Sequence, residues 1–420
     1  MAQLKDDCFA FGGELMPLDD ALALLAERVS PVADVETVPL ADALGRVLAQ
    51  DLSAAHDVPP HDNAAVDGYA VAFDDLQSDG ETRLPVGGRV AAGHPLGHPA
   101  KPGEAVRIFT GAPMPAGMDT VFMEEDCTAD GDAVVLPAGL KKGSNSRRKG
   151  EAVKTGAVIL TRGRRLRPQE LGLAASVGIA EVPVYKALRA AVFSTGDEVR
   201  DLTGELPDGC IFDSNRYAVI AQLHDMGVRV TDLGILEDDE DAIAAALDAA
   251  SADHDVLVTS GGVSAGEEDH VKAAVERHGE IHFWRLSVKP GRPIALGRVG
   301  DAAFVGLPGN PVAAMVTFMV LARPLLARLG GASAAPARRY TVKSGFDYKK
   351  KVGRREWVRA RLTDGDDGDG GPVAEKYPDG GSGILESMTF ADGLVELTED
   401  RADIKAGDRV DFLPFNEVTR

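Results

Sequence analysis

The stretch Asp255-Val-Leu-Val-Thr-Ser-Gly-Gly-Val-Ser-Ala-Gly-Glu-Glu-Asp269 decides the fold class. Its first half is an unbroken apolar run closing on Thr259 and Ser260, the composition of a strand buried on both faces. Gly261 and Gly262 then let the backbone turn tightly. Ser264 and Gly266 lead into a helix. Backbone N–H groups at such a turn, together with the positive end of the helix, attract an anion. An ordinary strand–helix turn uses glycine in the same place. The hydroxyls of Ser260 and Ser264 and the carboxylate of Asp269 favour a ligand loop.

Outward from this stretch the same grammar repeats. Strand-like runs occur at Ala190 to Phe193, Val228 to Ile235, Ile281 to Leu286 and Phe304 to Leu307. Helical patterns fall between them, near Ser214 to Met226, Asp239 to Ala250, His270 to Arg277 and Val312 to Leu329. Alternation of this kind predicts a three-layer α/β domain over 188–330 with a mainly parallel sheet. Ligands of such sheets bind beyond the C-terminal strand ends.

The flanks read differently. Leu18, Leu22, Leu25 and Val29 recur at helical spacing and Pro31 ends that helix. A second short helix is expected from about Leu40 to Ala49. Residues 53–149 carry short apolar runs between Gly and Pro, such as Tyr69 to Phe73, Ala105 to Phe109 and Thr120 to Met123, the texture of an inserted β-rich domain. Arg167 to Gly178 reads as a helix and Glu181 to Tyr185 as a strand. Residues 1–52 and 150–187 thus mix helical and strand-like segments on either side of the inserted region. Gly331 to Arg338 is a connecting segment, and 336–420 a C-terminal β-barrel-like domain. Its Asp/Gly stretch Asp364 to Gly371 is expected at a hairpin tip.

A length of 420 residues suits several domains of roughly 100–200 residues. The formal charge of −21 argues against nucleic acid and anionic membranes as partners. Local basic clusters, Arg147 to Lys149, Arg162 to Arg167, and Arg285 with Lys289 and Arg292, leave room for an anionic substrate. No apolar run is read as a membrane span, and residues 1–11 lack an export signal. Cys8, Cys127 and Cys210 form no paired spacing, so a reducing, cytoplasmic setting is expected and each is read as a small apolar filler.

Two further loops point at the same rim of the sheet. Lys289-Pro-Gly-Arg-Pro293 sets Lys289 and Arg292 on a stiff turn that could neutralise phosphate or oxyanion charge, although a surface turn with solvated cations has the same composition. Gly306-Leu-Pro-Gly-Asn-Pro311 lets Pro311 start a helix, presenting the N–H groups around Gly309 and Asn310. Acidic residues crowd that rim: Asp197, Glu198, Asp213, Asp238, Asp239 and Asp269. Carboxylates beside phosphate loops suggest Mg²⁺; Asp213 and Asp239 read better as helix caps. No histidine spacing suggests zinc. Pro59-Pro-His-Asp-Asn-Ala-Ala-Val-Asp-Gly-Tyr-Ala-Val71 reads only as a loop entering a strand.

Taken together, these strings resemble the molybdopterin molybdenumtransferases, the family of bacterial MoeA and the gephyrin E domain. They are PPHDNAAVDGYAV at 59–71, RIFTGAPMP at 107–115, FSTGDEV at 193–199, IFDSNRYAV at 211–219, TSGGVSAGEEDH at 259–270, FWRLSVKPGRP at 283–293 and GLPGNPV at 306–312. The resemblance covers nearly the whole chain and implies four domains, with residues 1–52 and 150–187 forming one mixed linker domain into which 53–149 is inserted. It implies a cytoplasmic homodimer whose cleft uses parts of both protomers. The implied reaction joins adenylyl-molybdopterin and molybdate to give molybdenum cofactor and AMP, with Mg²⁺. It also implies the molybdopterin adenylyltransferase and apo-molybdoenzymes as partners.

By the same resemblance Asp67, Thr110, Glu198, Asp238, Asp269 and Lys289 fall on catalytic positions. Glu198, Asp238 and Asp269 would handle metal or adenylate. Lys289, Ser264 and the Gly261–Gly262 backbone would bind phosphate, with Ser260, Arg285, Arg292, Pro308, Gly309 and Asn310 as further substrate contacts. Arg359 and Ser382 would contact molybdate. Two positions depart: Ala152 stands where the family carries an acid after Gly150-Glu151, and Arg285 where it carries lysine. Two other readings are a molybdopterin adenylyltransferase, whose fold resembles residues 188–330 but against which the extra domains and the strings at 59–71 and 107–115 stand, and a non-catalytic cofactor-binding or scaffolding paralogue, which Ala152 favours.

Overall fold

The computed structural model describes residues 15–262, 270–333, 336–365 and 371–419. Among them a seven-stranded sheet forms the centre. Its strands are β1 (Leu15–Met16), β2 (Arg189–Ser194), β3 (Arg229–Ile235), β4 (Val256–Ser260), β5 (Gly279–Leu286), β6 (Pro293–Val299) and β7 (Ala302–Leu307). Their order across the sheet is β1-β5-β6-β7-β4-β2-β3. Neighbours run parallel except at β6, which is antiparallel to both β5 and β7. The sequence analysis had no strand at β6, because Pro293 and Gly297 mask its apolar run.

Strand alternation explains the three layers. Ala190 and Val192 face one side, where α1 (Leu18–Arg28), α3 (Asn215–Asp225) and α6 (Pro311–Leu329) pack. Ala191 and Phe193 face the other, against α4 (Glu240–Ser251) and α5 (His270–His278). Every residue of β4 is buried, as its apolar run predicts.

Three expectations change. The helix expected over Leu40 to Ala49 is only a 3₁₀ turn at Leu40–Asp42; Gly45 takes φ 76° and the chain then bridges to Arg165 and Val184. Leu15 to Val29 pack on the central sheet, where Met16, Leu18 and Leu25 join Leu286 and Leu329 in one core. Val35–Pro39 pairs instead with Glu181–Tyr185 in the linker region, which also holds α2 (Pro168–Ser176). Third, α6 is long and apolar enough to cross a membrane by length and composition. Arg323 and Arg328 hid that run in the sequence, and in the fold the helix is a core element, with Val316, Phe318, Leu321 and Leu325 buried.

The inserted region holds a six-stranded sheet, entered and left where Asn63–Ala64 pairs with Ser146–Arg147. In the C-terminal region β8 (Tyr340–Ser344), β9 (Arg355–Asp364), β10 (Pro372–Lys376), β11 (Gly393–Leu397) and β12 (Arg409–Pro414) close into a five-stranded barrel. The expected Asp/Gly hairpin tip lies mostly outside the described residues; on its flanks Asp364 pairs with Pro372. Val288–Lys289 adds to the barrel in parallel with β9, pairing Lys289 with Glu356. That addition joins the central sheet to the barrel at the edge of the site.

Candidate active site

Register sets the site. Ser260 at the end of β4 lies level with Ser194 of β2 and Leu307 of β7. Three loops therefore leave the sheet on one rim, beyond its C-terminal strand ends. Gly261 and Gly262 take φ 83° and 61°, and a Cβ on Gly262 would meet Thr195 Oγ1 at 2.6 Å and Val271 Cγ2 at 2.9 Å. Gly309 approaches Gly261 so closely that its own Cβ would lie 3.6 Å from the Gly261 Cα. The Asn215 side chain donates to the Gly309 carbonyl at 2.7 Å and holds that loop. Ser382 of the barrel side accepts from the Val312 N–H at 3.0 Å, capping the first turn of α6.

The rim and the barrel enclose a cleft of about 620 Å³. Glu198, Gly261, Gly262, Lys289, Arg292, Pro308, Gly309, Asn310, Arg359 and Ser382 all line it, so ten of the residues singled out in the sequence meet in one place. Its walls are cationic. Arg359 is 5% exposed, and burial pushes its guanidinium below the ordinary range. Its bonds go to neutral acceptors, Ser387 Oγ at 3.0 Å and the carbonyls of Gly381 and Asp379 at 3.0 and 3.4 Å. Lys376 likewise bonds only the carbonyls of Tyr377 and Pro378. Among the described residues neither forms an ion pair. A buried cation without a counter-charge is costly unless a ligand supplies one.

A second chamber of about 450 Å³ adjoins the cleft and shares Glu198, Gly261, Gly262 and Gly309 with it. Asp238, Ser260, Ser194 and Asn215 also line it. Its character is acidic and hydroxylic rather than cationic. Glu198 and Asp238 thus share one space, while Asp269 and Ser264 lie outside the described residues. Among the described residues no three His, Cys, Asp or Glu side chains cluster as a metal cage. Glu198 and Asp238 are the carboxylates facing this chamber that could hold a hard cation together with phosphate oxygens.

Asp239 caps α4, accepting from Ala242 N–H at 2.9 Å. Asp213 accepts the Arg216 N–H at 3.1 Å and pairs with its guanidinium at 2.9 Å. Asp67, Thr110 and Arg285 do not line the cleft. Arg285 is exposed on β5, paired with Leu15 and Pro293. Asp67 lies in the inserted region, where the Thr110 hydroxyl and N–H, at 2.7 and 2.8 Å, hold its carboxyl below the usual range. Burial pushes the Cys127 thiol up to about 11, which removes it as a nucleophile.

Three family descriptions match the chain in order: "MoeA N-terminal region (domain I and II)" over residues 16–178, "Probable molybdopterin binding domain" over 191–328 and "MoeA C-terminal region (domain IV)" over 341–415. The chain is 37% identical over 406 residues to a molybdopterin molybdenumtransferase of Haemophilus influenzae, covering 96% of this chain and 100% of that one. The chain belongs to the molybdopterin molybdenumtransferase family. A second relative of that name, from Nostoc sp., is 34% identical over 91% of this chain and 89% of its own. The solved molybdopterin biosynthesis MoeA protein of Pyrococcus horikoshii superposes with a TM-score of 0.78 at 28% identity, over 96% and 100% of the two chains.

Within this molybdenumtransferase chain the departure at Ala152 has a clear setting. Ala152 is exposed on a turn and donates its N–H to Val58. The neighbouring Glu151 carboxylate accepts the Arg148 N–H at 3.0 Å and is engaged in that turn. The sequence reading missed Asn215, Tyr348, Glu356, Trp357 and Lys376. Asn215 lay inside a string already quoted and is an amide directly before a helix. For the barrel residues no local signal exists, because only the docking of β9 and β10 on the central rim brings them to the cleft.

Proposed function

We propose that the chain inserts molybdate into adenylyl-molybdopterin and releases AMP, as a Mg²⁺-dependent transferase. The observation that carries this is the joined pair of chambers: a cationic cleft whose Arg359 and Lys376 form no ion pair among the described residues, opening onto an acidic chamber at the glycine loops. Molybdate is a dianion and the phosphoanhydride is also anionic, so bringing them together requires fixed positive charge. Lys289, Arg359 and Lys376 supply it on the barrel side. Glu198 and Asp238 would hold the metal against phosphate oxygens, and Mg²⁺ would there neutralise phosphate charge. A molybdate oxygen would attack the pterin-side phosphorus as the phosphoanhydride bond breaks and AMP leaves, and the dithiolene sulfurs would then displace that phosphate oxygen from molybdenum, their protons passing to the released phosphate, so no protein nucleophile is required.

The positions of Asp67 and Thr110 support a homodimer in which the inserted domain of one protomer completes the cleft of its partner. The adenylyltransferase that makes the substrate and the apo-molybdoenzymes that take the product are partners by the same reading. The decisive assay is AMP release from adenylyl-molybdopterin by the purified chain with Mg²⁺, with and without molybdate. Molybdate-dependent release, with product that activates an apo-molybdoenzyme, is the expected result. Tight pterin binding without AMP release would point to a non-catalytic binding protein, the reading that Ala152 favours.

A further inference from the structure

We propose that Tyr348 and Glu356 are positioning residues that fix the Lys289 ammonium at the wall of the cationic cleft, an inference that rests on the cleft's proposed role. A lysine at a turn has four rotatable bonds, and confining it costs about 2 kcal/mol of rotamer entropy. The Lys289 side chain is 45% exposed, so burial alone does not confine it.

The barrel supplies the restraint at both ends of the side chain. Lys289 pairs in register with Glu356 through the two-residue strand added to β9. The Ser287 hydroxyl donates to the Gly353 carbonyl at 2.6 Å, which ties the same loop to the turn before β9. At the other end, Lys289 Nζ donates to Tyr348 Oη at 3.2 Å and lies 3.5 Å from Glu356 Oε2. The Tyr348 hydroxyl donates onward to that same Oε2 at 2.8 Å. Arg354 Nε occupies the other carboxylate oxygen at 2.6 Å.

The anchor of this chain of bonds is a carboxylate only 1% exposed. Burial opposes its ionisation, but the hydrogen bonds of Tyr348 and Arg354 and the charge of Lys289 outweigh that and hold it below the usual range. Strand alternation explains its place. Glu356 shares the interior face of β9 with Val358 and Ala360, while Trp357 faces the central core. The Tyr348 hydroxyl is saturated, since it accepts from Lys289 and donates to Glu356. An ammonium has three N–H bonds. Tyr348 takes one of them and Glu356 holds the charge as an ion pair at 3.5 Å, so among the described residues N–H directions are left for an oxyanion in the cleft. A cation held in this way needs no reorganisation when charge arrives.

The full-length chain and its Tyr348→Phe, Lys289→Ala and doubly substituted variants test this in two assays. In the first, Tyr348→Phe lowers kcat/KM for molybdate in AMP release by about fivefold to tenfold, because the ammonium stays in the cleft but loses the hydroxyl that orients it. It causes no further loss in the Lys289→Ala background, because residues that act through one another are non-additive. Multiplicative losses would overturn the proposal. The second assay needs no substrate. Limiting acetic anhydride followed by peptide mass spectrometry compares acylation of Lys289 with that of Lys376. Because hydrogen bonds to the amine must break before it attacks, Lys289 is expected to react several-fold faster in Tyr348→Phe; equal rates would overturn the proposal. Glu356→Gln, read by the same acylation ratio, is expected to move it in the same direction. A wild-type chain that releases no AMP would sink the proposed function, and the acylation ratio would still decide this inference.

Discussion

Replacing Arg359 by Met separates binding from stability. The guanidinium is 5% exposed and holds only neutral acceptors. Two opposing effects on folding are therefore expected. Met removes the bonds to the Gly381 and Asp379 carbonyls and to the Ser387 hydroxyl, which keeps Ile384 as its own acceptor, at about 0.5–1.5 kcal/mol per hydrogen bond lost. It also removes a cation whose burial is unfavourable: the lowered pKa means that folding disfavours the charged form at every pH below it, neutral pH included. The two largely offset, so the melting temperature should move by only a few degrees. Oxyanion binding has no such offset. A unit charge about 4 Å away interacts with roughly 4 kcal/mol at an effective dielectric constant near 20, an upper bound for an open cleft. A charge-assisted hydrogen bond is worth about 1.5–3 kcal/mol net. Molybdate affinity should thus fall about tenfold to a hundredfold. Calorimetric titration with molybdate, beside thermal unfolding of the same samples, reads both quantities. Unchanged molybdate affinity in a folded variant would refute the assignment. A large drop in melting temperature would show that Arg359 instead acts as a structural strut.

Two further outcomes follow from other parts of the fold. The Glu170 carboxyl is lowered from 4.5 to about 2, chiefly by its hydrogen bond from Arg167, with burial opposing and Arg164 adding to it. A depressed acid stabilises the fold above the unfolded pKa and loses that contribution as pH falls. Unfolding titrations should therefore show on the order of 2–3 kcal/mol disappearing between pH 4.5 and about 2, and Glu170→Gln should flatten that limb; a parallel pH dependence in the variant would contradict it. Asp67 and Lys289 lie apart within one chain, so a shared cleft predicts complementation. Co-expressed Asp67→Ala and Lys289→Ala chains pairing at random should recover about a quarter of wild-type turnover, since half the dimers carry one intact site of two. No recovery from demonstrated mixed dimers would place each cleft within a single protomer.

Much was settled by the sequence alone. Buried strands such as Val256–Ser260, the glycine turn after them and the helices between strands are local matters. Their periodicity and turn chemistry are written within a dozen residues, and the three rim loops followed from the rule that such sheets bind at their C-terminal strand ends. Family membership was legible for a similar reason, because contiguous strings carry it. Tertiary structure decided the rest. Whether Arg285 or Lys376 supplies charge to the cleft cannot be read locally: both are cations on strands, and only β-alternation and the docking of the barrel separate them. The antiparallel β6, the barrel's closure and the addition of Val288–Lys289 to β9 depend on pairings between segments far apart in the chain. The Tyr348–Glu356–Lys289 chain of bonds joins a loop of the central domain to the barrel interior, which no spacing along the sequence encodes. Charge on a side chain is a property of the residue, but whether that charge is compensated is a property of its neighbours, and folding chooses the neighbours.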